Sequence, residues 1–198
     1  MLVFWKQKLV LLAVPKTGTT ALEQALLPHA SAAILHPPGQ KHISATQYRN
    51  RLSKFFEQRG SHPMDLVAVM REPVDWLGSW YRYRSRVELG RNANATQGIS
   101  FDDFVAAWLQ PKRPEFAKVG SQAAFLTDQD GKRAVDHLFR YDRMGDLVAF
   151  LEDRLDARLD LPRANVSPPG PVDLSDKMRA RLREEAAAEF TLWQSLEA

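Results

Sequence analysis

Two apolar, β-branched runs constrain this chain most. Lys8-Leu-Val-Leu-Leu-Ala-Val14 and Asp65-Leu-Val-Ala-Val-Met70 are nearly continuous hydrophobic segments, the pattern of strands buried on both faces as in a parallel sheet. Each is followed by a short loop and then by helical spacing. Pro15 ends the first strand, a turn containing Gly18 follows, and Leu22 and Leu26 predict a helix over residues 19–27 that Pro28 stops. After the second strand, Glu72-Pro73 opens a helix that the pattern carries to Leu89, with Gly90 as its stop. Between these units, Ser44 reads as the N-cap of a helix to Arg59, with Tyr48, Leu52 and Phe55 on its apolar stripe and Gly60 past its end.

Further on, Ser100 caps a short helix over residues 101–109. Residues 135–141 predict a third strand, interrupted by His137 and Arg140, with a helix behind it over residues 142–155. Asn165-Val-Ser-Pro-Pro-Gly-Pro171 reads as a loop, and a last helix starts near Ser175 with Met178, Leu182, Ala186 and Trp193 on one side. Strands alternating with helices predict an α/β fold: a three-layer, mostly parallel sheet with helices on both faces, in one domain spanning residues 1–198. Ligands of such sheets bind at the carboxyl ends of the strands. The loops after Val14 and after Met70 are therefore where function is expected.

Composition narrows the class. Hydrophobic residues are 44% and charged residues 26%, ordinary values for a globular chain. The absence of cysteine excludes disulfides, thiolate zinc sites and cysteine nucleophiles, and fits a reducing compartment. The apolar run from Leu9 to Val14 is too short for a signal core or a membrane span, so a cytoplasmic location without a membrane partner is expected. A net charge of +3 permits anionic ligands and is too small to argue for nucleic acid. Arg82, Arg84 and Arg86, with Tyr81 and Tyr83 between them, read as a solvated arginine face.

The first loop, Val14-Pro-Lys-Thr-Gly-Thr-Thr20, sets a lysine, a glycine and threonine hydroxyls at the start of a helix. Open amides and the positive end of the helix dipole favour an anion there, Gly18 allows close backbone approach, and Lys16 adds a full charge. A Walker loop is longer and carries its lysine after the last glycine, whereas here the lysine precedes Gly18. The second loop begins Arg71-Glu-Pro-Val-Asp-Trp-Leu-Gly-Ser79. An arginine at a strand end makes bidentate contacts to phosphate, and a serine two turns into the helix offers a hydroxyl.

Together, Pro15-Lys-Thr-Gly-Thr-Thr20 resembles the 5′-phosphosulfate loop of the sulfotransferases that use 3′-phosphoadenosine 5′-phosphosulfate (PAPS), and Arg71, Pro73, Ser79 and Tyr81 resemble their 3′-phosphate motif. Lys41-His42 resembles the position of the catalytic histidine in the branch related to carbohydrate 2-O-sulfotransferases, compact bacterial members included. The resemblance covers residues 8–90. It implies a P-loop-like α/β fold and PAPS as co-substrate, with 3′-phosphoadenosine 5′-phosphate (PAP) as product and no metal. Lys16 would stabilise the leaving nucleotide, Thr17, Gly18, Thr19 and Thr20 would hold the 5′ group, Arg71 and Ser79 would bind the 3′-phosphate, and His42 would act as base toward a hydroxyl of a sugar or small metabolite. His29, His36, His62 and His137 have no metal-ligand spacing and are expected to be structural or at the surface. Two alternatives stay open: an ATP-dependent small-molecule kinase, and a non-catalytic nucleotide- or nucleic-acid-binding module.

Overall fold

The computed structural model of the chain describes residues 1–86, 92–161 and 172–197. In chain order these form β1 (Leu2–Phe4), β2 (Leu9–Leu11), α1 (Thr19–Leu26), β3 (Ala32–Ala33), α2 (Pro38–Lys41), α3 (Ala45–Arg51), α4 (Ser53–Phe56), β4 (Asp65–Met70), α5 (Pro73–Arg84), α6 (Phe101–Leu109), α7 (Gln122–Leu126), β5 (His137–Arg140), α8 (Met144–Leu155), α9 (Asp176–Glu185) and α10 (Ala187–Gln194). They divide into two compact units. Residues 1–71 and 122–161 make the first; residues 72–86, 92–121 and 172–197 make the second.

The first unit is α/β, built on a five-stranded sheet of order β3-β1-β2-β4-β5. β2, β4 and β5 are parallel, with Leu9 opposite Asp65 and Val67 opposite His137. β1 is antiparallel to both of its neighbours, so the sheet is mixed rather than mostly parallel. The cause is a short connection: Lys8 donates to the Trp5 carbonyl at 3.1 Å in a tight turn, and a connection of that length can only return the chain antiparallel. Val67 and Val69 of β4, with Leu9 and Leu11 of β2, pack against Leu22 and Leu26 of α1 and Leu147 and Leu151 of α8. Leu66, Ala68 and Met70 point the opposite way along the same strand and are also fully buried, as the continuous apolar run requires.

Local signals that the sequence displays are used. The Ser44 side chain accepts from the Gln47 amide while the Gln47 side chain accepts from the Ser44 amide, a full capping box at α3. The helix expected to continue to Arg59 is broken at Leu52 (φ −112°, ψ −25°) into α3 and α4, and after α4 the positive φ of Gln58 and Arg59 leaves only a 3₁₀ turn. The third strand and the helix behind it appear as β5 and α8, joined by a 3₁₀ turn over Tyr141–Arg143.

The second unit is helical. Trp76 and Leu77 of α5, Phe104 and Trp108 of α6, and Leu182 of α9 form its core. Glu72 caps α5 by accepting from the Asp75 amide at 2.7 Å, and Ser100 and Ser175 cap α6 and α9. The single helix expected from Ser175 is two, separated at Ala186 (φ −115°, ψ 36°). After that break the Glu189 carboxylate, only 4% exposed, accepts from the Ser121 hydroxyl at 2.6 Å. The helix expected to run to Leu89 ends as α5 at Arg84, with Ser85 as its C-cap, and Leu89-Gly90 and the Asn165–Pro171 loop lie outside the described residues. Among those described, no helix is long and apolar enough to cross a membrane.

Leu66 is the second residue of β4 and is 0% exposed. Leu66→Ala is expected to cost about 3 kcal/mol, the usual result of emptying a tightly packed site, whereas Ser44→Ala should cost only about 1 kcal/mol through loss of the cap. Urea denaturation of both variants checks the order. A Leu66→Ala loss below that of Ser44→Ala would contradict the placement of this strand in the interior of the sheet, between β2 and β5.

Candidate functional site

Pairing between β2 and β4 continues one step beyond the strand, with the Leu12 amide donating to the Val67 carbonyl at 2.8 Å. The chain then turns sharply. Lys16 has φ 67° and Gly18 φ 78°, so positive-φ residues flank Thr17, the alternation that forms anion-binding nests of backbone amides. Thr17 is buried, and its hydroxyl donates to the Val14 carbonyl at 2.8 Å, closing the turn from inside. That hydroxyl is therefore a structural brace, and only the Thr17 amide remains for a ligand. Gly18 is the N-cap of α1 and no side chain caps that helix. Neither Thr19 nor Thr20 is the N-cap, so the first turn keeps its amides open in the way an anion site needs.

His42 follows the short helix α2, which was not anticipated between Pro37 and Lys41. Its Nδ1 lies 2.7 Å from the Ala13 carbonyl oxygen. A carbonyl oxygen only accepts, so Nδ1 carries the proton and Nε2 of the neutral ring is left as the basic nitrogen. Burial pushes the His42 pKa below the ordinary histidine value; the Ala13 contact opposes that shift, and the neighbouring Lys41 charge adds to it. Lys41 is tied down as well, its Nζ 2.7 Å from Oε2 of Glu23 on α1, both side chains largely buried. Glu23 is thus distinguished from Glu72: the former joins α1 to α2, and the latter is the cap of α5. Behind the loop, Thr17, Thr19, Glu23 and Val69 help line a cavity of about 10 Å³, room for a single water molecule.

Arg71, directly after β4, reaches the same loop. Its Nη1 donates to the Lys16 carbonyl at 3.3 Å, and its guanidinium lies 4.5 Å from the centre of the Tyr141 ring. A Cβ placed on Gly18 would meet Tyr141 Cε2 at 3.4 Å, so one ring packs against both the glycine and the arginine. The structure therefore gathers Lys16, Thr17, Gly18, Thr19, Thr20, His42 and Arg71 in the first unit. Ser79 belongs to the second unit, on α5, at 1% exposure. The arginines of that helix are engaged within their own unit: Arg82 faces Asp75 at 3.7 Å, and Arg84 lies over the Trp80 ring at 5.5 Å and donates to the Lys118 carbonyl at 3.0 Å.

The sequence alone assigned no role to Tyr141 or Gln122 and did not pair Glu23 with Lys41. The rule that selected the loops after the first two strands, applied to the third, points to Tyr141 at the end of β5. Gln122 had only one signal, an amide among apolar neighbours. Nothing in the sequence pairs Glu23 with Lys41, because the contact depends on how α2 folds back on α1.

The strained turn generates a test. An added Cβ at Gly18 has space, so the penalty of Gly18→Ala comes from the left-handed backbone, about 1–2 kcal/mol, and Gly18→Asn should recover part of it because asparagine tolerates that region. Denaturation curves of the two variants measure the difference; equal stability of Gly18→Ala and wild type would mean that the turn is not left-handed. No family model, curated protein or solved structure matches this chain, so a functional assignment rests on the residues themselves.

Proposed function

We propose that this protein transfers the sulfuryl group of PAPS to a hydroxyl of a sugar or small metabolite, on a P-loop-like sulfotransferase fold. The observation that supports this best is the 2.7 Å contact between His42 Nδ1 and the Ala13 carbonyl. It ties a histidine with a basic Nε2 to the strand end that leads into the Lys16–Thr20 turn, so a proton acceptor and an anion cradle share one support. A plain anion-binding turn has no need of an oriented base.

In the reaction the acceptor oxygen attacks sulfur in line with the bridging oxygen of PAPS. The new S–O bond forms while the bond from sulfur to the bridging oxygen breaks, and the electron pair departs with PAP. His42 Nε2 takes the acceptor proton. Lys16 offsets the charge that grows on the leaving phosphate, and the open amides of Gly18, Thr19 and Thr20 hold the 5′ group. Arg71 binds the 3′-phosphate, to which the motif resemblance also assigns Ser79. Sulfuryl transfer of this kind depends on alignment and charge stabilisation, and the protein supplies both with fixed groups.

Binding and turnover test this reading separately. PAP is expected to bind at least tenfold more tightly than AMP, equivalent to about 1.4 kcal/mol or more, and Arg71→Ala should erase that preference in calorimetry. Equal wild-type affinity for PAP and AMP defeats the assignment. An ATP-dependent kinase would require magnesium, whereas turnover of PAPS is expected to survive a chelator.

Lys16→Ala should lower turnover roughly 10²- to 10³-fold and weaken nucleotide binding. His42→Ala should lower turnover roughly 10²- to 10⁴-fold with PAP affinity nearly intact, because a base acts on the acceptor and does not hold the nucleotide. The lowered pKa of His42 keeps the base neutral in mild acid, so the acid limb of kcat should fall below about pH 6.5, the ordinary histidine value. The same shift stabilises the fold above that pH, a contribution lost as pH falls toward the folded-state pKa. Sulfation kinetics from pH 5 to 9 provide the check, and an acid limb unchanged in His42→Ala would assign the base elsewhere.

A further inference from the structure

Gln122 opens α7 at 0% exposure, and both ends of its amide are used on a single residue. Its Oε1 accepts from the Arg71 amide at 2.9 Å, and its Nε2 donates to the Arg71 carbonyl at 2.8 Å. These are the two bonds that a neighbouring strand would make, delivered to the first residue after β4 by one side chain. The Arg71 backbone is held by Gln122 while its guanidinium is held by the Lys16 carbonyl at 3.3 Å and the Tyr141 ring at 4.5 Å. Resting on the proposed role of Arg71, we infer that Gln122 is a positioning residue that sets the selectivity for a 3′-phosphorylated nucleotide by fixing the direction in which the Arg71 side chain leaves the sheet.

The physical reason is specific to the amide. A buried backbone N–H and C=O each need a partner, and among uncharged side chains of this length only glutamine offers a donor and an acceptor together. Methionine fills similar space with neither. Glutamate at neutral pH keeps the acceptor and turns a second oxygen toward the Arg71 carbonyl, which repels it. Burial and that repulsion raise the pKa of such a carboxyl, and once protonated it again carries one donor and one acceptor.

The experiment compares PAP and AMP binding by calorimetry for wild type, Gln122→Met and Gln122→Glu at pH 5.5 and pH 8, with circular dichroism and titration stoichiometry reporting the folded fraction. Selectivity is expected to fall from at least tenfold to near unity in Gln122→Met at both pH values. In Gln122→Glu it should be lost at pH 8 and regained at pH 5.5, relative to wild type at the same pH. A purely structural role would lower the folded fraction and leave the PAP-to-AMP ratio of the folded molecules unchanged; that result, in Gln122→Met at either pH or in Gln122→Glu at pH 8, overturns the inference. Should Gln122→Met fail to fold, Gln122→Glu, which retains both bonds at pH 5.5, still decides the matter by whether its selectivity is lost between pH 5.5 and pH 8. A wild-type ratio near unity would instead remove the sulfotransferase reading, and the role of Gln122 with it.

Discussion

Parallel pairing of β2 with β4, from Leu9 opposite Asp65 to Leu11 opposite Val67, is the constraint on which the candidate site depends. Two strands that run in the same direction end at the same edge of the sheet, so the loops that follow them meet there even though a long crossover separates them in the chain. Extension of the pairing to the Leu12 amide carries this register up to the turn itself. The burial of both faces of β4 makes the register hard to shift, since a slip of one residue would exchange Val67 and Val69 for Leu66 and Ala68 against α1 and α8.

The turn after β2 is held in a conformation that its sequence would not choose alone. A lysine at positive φ costs about 1 kcal/mol or more, and such residues persist where their surroundings over-determine them. Here the surroundings are identifiable. The Thr17 hydroxyl closes the turn on Val14, the Arg71 guanidinium grips the Lys16 carbonyl, and Tyr141 covers Gly18. Together these ties leave the first-turn amides of α1 without a side-chain cap and set Arg71 beside the Lys16–Thr20 turn. His42 is treated alike, since the bond that orients it to Ala13 also selects the tautomer with a basic Nε2.

The legible parts of the fold were those with a local cause. β4 lies where its apolar run lies, α6 starts after its Ser100 cap, and α3 follows its capping box. The weaker readings failed where distant packing decided. β1 and β3 are too short to show a pattern, and α9 and α10 separate at Ala186 with neither glycine nor proline to announce it. In the site, Lys16, Gly18 and Arg71 were visible because lysine, glycine and arginine at strand ends have few structural reasons to coincide. That the Thr17 hydroxyl turns back onto Val14 was not legible, because a hydroxyl in sequence does not reveal whether it faces outward or back onto its own turn.

By itself the sequence determined the buried strands β2 and β4, the starts of the helices with a cap or proline signal and the residue types at the strand ends, because hydrophobic period, caps and loop chemistry act over a few residues. Tertiary structure alone decided that Gln122 grips Arg71, that Tyr141 touches both Gly18 and Arg71, that Lys41 meets Glu23, and that Ala13 orients His42. These contacts join residues far apart in the chain. A hydrogen bond or a ring contact acts over only a few ångströms, so no periodicity or spacing along the chain records which partners the folded sheet brings within that range.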